Sequence, residues 1–176
     1  YKTNTFMKKS ILIIHFLLIS SALLSQPMLE VKGYDDALNR TRELAGSKNL
    51  VRDTKLDQYC YERCVRLAEL MLKNPENLDQ IYDVEAHVGS GKFEGILENA
   101  NYLNRGDSIN PVLELDKSYN RSKGHYAQRT KKEWNRFGSC TIMMEIVTLN
   151  PGYVPGSFSQ PKIKRKIYIS YEAFMK

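Results

Sequence analysis

The stretch Gly124-His125-Tyr126-Ala127-Gln128, followed by Phe137-Gly138-Ser139-Cys140, decides the fold of this chain. Glycine permits backbone conformations that other residues avoid, so we expect His125 to lie on a segment from which its side chain reaches a cleft. Residues Ser139–Leu149 form a β-branched and apolar run, which predicts a strand. Within Ile163–Tyr171 every second residue alternates with a polar one, which predicts another strand. Together with Ser139–Leu149, this run predicts an antiparallel pair of strands.

These motifs resemble those of the CAP superfamily, which contains the cysteine-rich secretory proteins, antigen 5 and the pathogenesis-related proteins. In that family a Gly-His-Tyr-Thr-Gln segment precedes a Val-Gly-Cys-Gly strand at a similar spacing. The run Tyr119-Asn120-Arg121-Ser122-Lys123-Gly124-His125 is similar to the Trp-x-x-Ser-x-Gly-His of bacterial members, and this favours the bacterial-type branch. The resemblance covers Tyr34 to Phe174. It implies an α+β fold, the three-layer α-β-α sandwich of the CAP domain with a small antiparallel sheet.

Helical periodicity predicts the same fold class without the resemblance. Apolar residues recur at helical spacing over Tyr34–Ala45 and again after Asp53 or Thr54, either of which can cap the second helix. A third helix is predicted over Pro111–Tyr119, because proline suits a first helical turn. Helices that precede strands along the chain predict an α+β domain.

The amino-terminal region predicts export. Met7-Lys8-Lys9 leads into an apolar run from Ile11 to Leu24, and small residues stand at Ala22 and Ser25. A basic start, a short apolar core and small residues are typical of a secretory signal peptide. We therefore predict a leader over residues 1–25, a single domain over residues 26–176 and a secreted, extracellular protein. The alternative is an uncleaved signal anchor, which would be this chain's one contact with a membrane.

Charge and length narrow the classes of partner. A chain of 176 residues suits one domain. Removal of residues 1–25 lowers the formal net charge from +6 to +3, and a charge this small predicts no nucleic-acid partner. We interpret the basic cluster Lys162-x-Lys164-Arg165-Lys166 as charge that protects a neighbouring hydrophobic strand from aggregation.

The three cysteines are interpreted as packing residues. Cys60 and Cys64 fall on the apolar face of the second helix, where a free cysteine behaves as a small hydrophobic residue. A bridge from one of them to Cys140, and a reactive thiol, are the alternatives. The spacing of the three cysteines is unlike that of a zinc site.

The resemblance also implies a site. His87 and His125 are the two histidines of residues 26–176, and both fall where the family places its cleft histidines. Leu97-Glu98-Asn99-Ala100 resembles the family's Gly-Glu-Asn-Ile, so Glu98 takes the place of a cleft glutamate. Two imidazoles and a carboxylate suit Zn²⁺ with an open fourth position, which makes His87, Glu98 and His125 candidate metal ligands. Leu115 stands in place of the family's second glutamate. The alternative is a metal-free polar cleft in which the same side chains share hydrogen bonds.

The expected function is that of a non-catalytic extracellular binding module, and whether the chain is an enzyme stays open. Its cleft, with His87, Glu98, His125 and Ser122, would bind a small or lipidic ligand, a metal ion or a protein partner. The alternative is a peptidase or esterase, either metal-dependent with Glu98 as general base or serine-type with Ser122 activated by His125. Ser122 and His125 are three residues apart on one short segment with no evident orienting carboxylate, so we assign no catalytic residue. Ser122 is more simply a cap or turn residue.

Overall fold

A computed structural model describes residues 34–89, 95–105, 110–149 and 162–176, and within these ranges the chain forms five helices and four strands. In chain order they are α1 (Tyr34–Leu44), β1 (Val51–Arg52), α2 (Thr54–Lys73), α3 (Leu78–Glu85), β2 (Leu97–Arg105), α4 (Pro111–Arg121), α5 (Lys123–Arg129), β3 (Arg136–Leu149) and β4 (Lys162–Met175). None of the helices in these ranges has the length and apolar character that a membrane crossing requires. The predicted leader, residues 1–25, lies outside the described residues.

The strands form one mixed sheet in the order β1-β3-β4-β2. The predicted antiparallel pair is confirmed: β3 and β4 run side by side from Arg136 opposite Met175 to Leu149 opposite Lys162. Strand β2 is antiparallel to the other side of β4. The expectation of a wholly antiparallel sheet is wrong, because the two-residue strand β1 pairs in parallel with the start of β3. The α+β class is confirmed.

Helix α2 packs closely against β3, and its sequence explains why. Asp53 caps the helix as predicted, because its side chain accepts from the backbone N–H groups of Lys55 at 2.9 Å and Leu56 at 3.4 Å. Gly138 of β3 lies directly beneath the first turn of the helix. A β-carbon there would be 2.3 Å from the backbone carbon of Leu56, so the close approach requires glycine.

Helices cover both faces of the sheet. On one face, α2 and α3 pack against the even-numbered residues of β3, and Cys60, Cys64 and Cys140 are buried and unbridged at this contact. The predicted burial of the thiols is therefore confirmed. On the other face, α1 and α4 contribute Tyr34 and Tyr119 to a second apolar cluster. Because both faces are covered, β4 buries polar side chains as well as apolar ones.

Besides β1, three elements were not expected from the sequence. The segment Leu78–Glu85 is helical, and Leu97–Arg105 is the edge strand β2. The segment with His125 is helix α5, in which Gly124 has no positive φ, so the conformational freedom of glycine is not needed to present the histidine. Helix α5 begins there because the Ser122 side chain accepts from the backbone N–H of His125 and caps it.

Candidate functional site

Glu98 is the centre of a buried polar cluster between β2 and α2. Its side chain is 2% exposed and lies on the face that α2 covers, since Glu98 pairs with Ala173 of β4. Arg63 of α2 donates to the carboxylate twice, from Nε to Oε2 at 2.7 Å and from Nη2 to Oε1 at 3.1 Å. The Tyr59 hydroxyl donates to Oε2 at 2.6 Å. A buried charge requires a partner of opposite sign, and Arg63 supplies it.

Arg63 also fixes the turn that carries His87. Its Nη1 donates to the carbonyl of Val88 at 2.6 Å, and its Nη2 donates to the carbonyl of Ala86 at 2.8 Å. The guanidinium carbon lies 5.4 Å from the ring centre of Tyr171, close enough for a cation–π contact. The turn after α3 is thus held on both sides of the histidine.

His87 completes the cluster at the surface. Its Nδ1 lies 3.2 Å from Glu98 Oε1, while 55% of its side chain is exposed. An ionised carboxylate only accepts hydrogen bonds, so the proton of a neutral His87 ring is on Nδ1 and the lone pair of Nε2 is left open. The cluster therefore ends in an oriented, accessible imidazole.

The electrostatics keep Glu98 ionised. Burial would raise the pKa of its carboxyl group, but hydrogen bonds from His87, Arg63 and Tyr59 outweigh that effect and hold the pKa below its usual value. Four hydrogen bonds also fill the acceptor capacity of the two oxygens. Glu98 is therefore a fixed anion whose lone pairs are already used.

His125 lies in α5 and is half-buried there, and Ser122 directly precedes this helix. Its ring stacks edge to face on Tyr119 with centroids 5.3 Å apart. Burial lowers its pKa; the carboxylate of Glu172 opposes this, and positive charge on His87 and Arg129 adds to it. The surroundings of His125 therefore favour the neutral form of its ring. The Ser122 side chain, 3.4 Å from the backbone nitrogen of His125, serves as the helix cap.

A second buried carboxylate, Glu172, lies on the opposite face of the sheet beneath α5. Arg129 Nε is 3.1 Å from its Oε1, and Asn99 Nδ2 donates to its Oε2 at 3.0 Å. The Tyr34 hydroxyl also donates to it. Arg129 makes a further ion pair with Asp116 at 2.9 Å. The side chains of Arg129 and Glu172 are both 0% exposed, so this ion pair has no access to solvent.

The structure brings only part of the predicted site together. His87 and Glu98 are in contact on the α2 face of the sheet. Helix α5, which contains His125, packs on the opposite face, to which Asn99 of β2 directs its side chain. Within the described residues no hydrogen bond joins His125 to either of the other two, and no group of three or more His, Cys, Asp or Glu side chains is gathered closely enough to hold a metal ion. Glu98 does not fit the role of a metal ligand as it stands, because a metal would have to displace Arg63 or Tyr59.

Sequence reasoning missed the two arginines that define these clusters. Arg63 falls on the buried stripe of α2, one turn after Tyr59, and a charged residue at such a position signals a buried partner. Arg129 ends α5 and gave no such signal, because the helix itself was not expected.

A third buried arginine, Arg42, has a different role. Its guanidinium donates to the carbonyl groups of Lys48 at 2.7 Å and Lys131 at 3.2 Å. The Asn39-x-x-Arg42 stretch of α1 thus orders loops and does not line the site.

Comparisons with known proteins identify no family. No protein-family model matches the chain, and no curated protein matches it. Among solved structures, the chain is similar to an outer surface protein from Borrelia burgdorferi, with a TM-score of 0.43 and 12% sequence identity over 86% of this chain and 100% of that one. A TM-score at this level establishes neither a shared fold nor a shared function.

Proposed function

We propose that this protein is an exported, non-catalytic binding module with the three-layer α-β-α sandwich of the CAP domain, and that its ligand contacts His87 and His125. The observation that carries the proposal is the orientation of His87. A buried, ionised carboxylate holds Nδ1, and the exposed ring leaves Nε2 accessible. Histidines that bind metals or polar ligands are commonly oriented in this way by a carboxylate at the other ring nitrogen.

Two features support the class and the location of the protein. Helix α2 on one face of the sheet, and α1, α4 and α5 on the other, are the layers that an α-β-α sandwich needs. The basic and apolar pattern of residues 1–25 supports export. An exported protein meets its ligand outside the cell.

The geometry favours binding over catalysis. Ser122 Oγ is engaged as the cap of α5, and its contact with His125 is to the backbone nitrogen and not to the ring. Glu98 is a poor general base, because its pKa is lowered and its lone pairs are used. Burial raises the pKa of Cys60 and Cys64 well above the usual thiol value, which keeps both from acting as nucleophiles. These contacts give the hydrolase alternative no support.

The chemistry of the ligand follows from the imidazoles. An open Nε2 on His87 and a neutral His125 can accept hydrogen bonds or coordinate a divalent metal ion such as Zn²⁺. Glu98 is assigned to orient His87. Two imidazoles are fewer than the three protein ligands of an open zinc site, so a bound ion would take its other ligands from water or from the molecule that the module recognises.

Isothermal calorimetry with ZnCl₂ tests the proposal, because zinc reports whether the two imidazoles form one accessible site. The purified protein is titrated beside His87→Ala and His125→Ala, with Lys123→Ala as a control that changes an exposed residue of α5. We expect one site in the parent protein and in Lys123→Ala, and its loss in each histidine variant.

Three results would contradict the proposal. Absence of zinc binding to the parent protein would mean that the imidazoles do not form a common site. Binding that persists in both histidine variants would place the ion elsewhere. A protein that hydrolyses peptides or esters and loses turnover in His125→Ala would restore the enzyme alternative.

A further inference from the structure

A pocket of about 380 Å³ lies where β2 begins and β4 ends. Three segments line it: residues 95–97, residues 133–134 and residues 175–176. Small-molecule sites commonly have volumes of about 300 to 1,000 Å³, so this pocket has room for a small ligand. His87 and His125 are not among the described residues that line it, which makes it separate from the imidazole site proposed above.

The wall of the pocket is mainly apolar. Its apolar members are Ile96, Leu97, Trp134 and Met175. Trp134 belongs to a core cluster, whereas the other three are only partly buried where they pack against the core. Their remaining apolar surface is in contact with water, and covering such surface is favourable. An apolar group that enters the pocket would therefore be held by the hydrophobic effect.

Two polar groups of the lining residues already have partners. The indole Nε1 of Trp134 donates to the carbonyl of Gln128 at 3.1 Å. The backbone carbonyl of Lys176 accepts from Arg136 Nη2 at 3.1 Å. Neither group therefore marks a position for a polar atom of a ligand.

The charged groups around the pocket offset one another. The Glu133 carboxylate lies 2.7 Å from Lys131 Nζ and 3.9 Å from Lys176 Nζ. The hydrogen bond from Lys131 lowers the pKa of Glu133, so the carboxylate stays ionised in this pair. Lys131 also covers one face of the Trp134 ring, with Nζ 4.8 Å from the ring centre.

This arrangement of charges favours neither an anionic nor a cationic ligand. Glu133 would repel an anion, and the two lysines beside it would repel a cation. An ion of either sign would also lose hydration on entering an apolar pocket, and that loss is unfavourable without a partner of its own. An uncharged ligand has neither cost.

We infer that this pocket binds a small uncharged apolar molecule, a short alkyl chain or a single ring, through contacts with Leu97, Trp134 and Met175. The volume of the pocket, near the lower end of the usual range, limits the ligand to a group of this size. The ligand of this pocket differs in chemistry from that of the imidazoles, which accept hydrogen bonds or coordinate a metal ion.

Fluorescence quenching by bromohexanol tests the inference. The bromine, placed at the end remote from the hydroxyl group, quenches tryptophan on contact, and Trp134 is the one tryptophan of the chain. Quenching therefore reports entry into this pocket. We expect saturable quenching with a dissociation constant on the order of 1 mM, because a ligand this small makes few contacts. Bromohexanoate and bromohexylamine are matched ligands of opposite charge, and each should bind at least about fivefold more weakly.

A pair of variants tests the position of the site. Ile96→Glu places a charge in the apolar wall and should weaken bromohexanol binding at least about fivefold. Leu44→Glu is the matched control, because Leu44 is 83% exposed on α1 and does not line this pocket. It should bind bromohexanol as the parent protein does.

The three ligands test the inference on the unchanged protein, in case Ile96→Glu does not fold. Urea denaturation shows whether each variant is folded. Quenching of the parent protein that does not saturate would overturn the inference. So would binding of either charged ligand as tight as that of bromohexanol, or unchanged bromohexanol binding by a folded Ile96→Glu.

Discussion

The two faces of the sheet each bury one carboxylate, and the clusters around them differ in what they reach. Glu98 pairs with Arg63 of α2, and its cluster ends in His87, whose side chain is 55% exposed. Glu172 pairs with Arg129 of α5, and both side chains of that pair are 0% exposed. Each face thus has a buried arginine–carboxylate pair. On the α2 face the pair orients an imidazole at the surface, whereas on the other face it stabilises the interior. The two clusters therefore differ in the exposure of His87, and not in the ion pair, and this exposure is the reason why the Glu98 cluster is the one proposed to bind a ligand.

The largest effect is expected where the α2 face depends on close packing. In Gly138→Ala the new β-carbon would lie 2.3 Å from the backbone of Leu56, and neither backbone can yield easily. We expect a loss of at least about 3 kcal/mol in the free energy of unfolding, or no folded protein. Urea denaturation measures it. Gly124→Ala is the control, because nothing lies within 4 Å and helix propensity predicts a gain of about 0.5 kcal/mol. Equal effects of the two substitutions would show that α2 does not approach β3 so closely.

The next effect compares the two carboxylates directly. Glu172→Gln leaves Arg129, whose side chain is fully buried, with the partly exposed Asp116 as its remaining ion-pair partner, and we expect a loss of about 3 to 4 kcal/mol. Glu98→Gln should cost less, about 2 kcal/mol, because Arg63 keeps its bonds to the carbonyl groups of Ala86 and Val88. Denaturant unfolding of both variants gives the order. The reverse order would mean that the Glu98 cluster is the structural one.

A smaller effect is expected from pH. The pKa of Glu98 is lower in the folded protein than in the unfolded chain, so its ionisation stabilises the fold above the unfolded value of about 4.3 and that contribution is lost as the pH falls through the folded value. The difference in unfolding free energy between the parent protein and Glu98→Gln should therefore be largest above about pH 5 and shrink below about pH 4. A constant difference across this range would show that Glu98 is not held as a carboxylate.

The smallest effect concerns His125. Burial lowers its pKa, so the folded state resists protonation and loses stability as the pH falls from the unfolded value of about 6.5 towards the folded one. NMR titration of the ring should give an apparent pKa below that of an exposed histidine. His125→Asn should flatten the dependence of stability on pH between about 7 and 5. A titration at or above the usual value would contradict the half-buried placement against Tyr119.

The features that the sequence predicted are those with a local cause. The cap at Asp53, the apolar stripe of α2, the burial of Cys60 and Cys64 and the β-branched run of β3 all follow from short-range pattern. The α+β class follows from their order along the chain.

The features that it missed depend on contacts distant in sequence. The sequence pattern of β2 does not predict a strand, because Glu98, Asn99 and Asn101 are buried polar residues. Two of them are tolerated there because they bond to residues of other elements, Glu98 to Arg63 and Asn99 to Glu172. The resemblance predicted Glu98 and His87 as site residues. It could not reveal that Arg63 uses the carboxylate's lone pairs, and this changes Glu98 from a candidate ligand to an orienting residue.

The central claim is that Glu98 holds the ring proton of His87 on Nδ1 and leaves Nε2 open. Ring ¹⁵N NMR of His87 tests it most directly, because the spectrum distinguishes the two ring tautomers. The spectrum is recorded at a pH where the ring is neutral, for the parent protein and for Glu98→Leu. We predict a proton on Nδ1 and an unprotonated Nε2 in the parent protein, and loss of that preference in Glu98→Leu. A proton mainly on Nε2, or a tautomer ratio that Glu98→Leu leaves unchanged, would contradict the account.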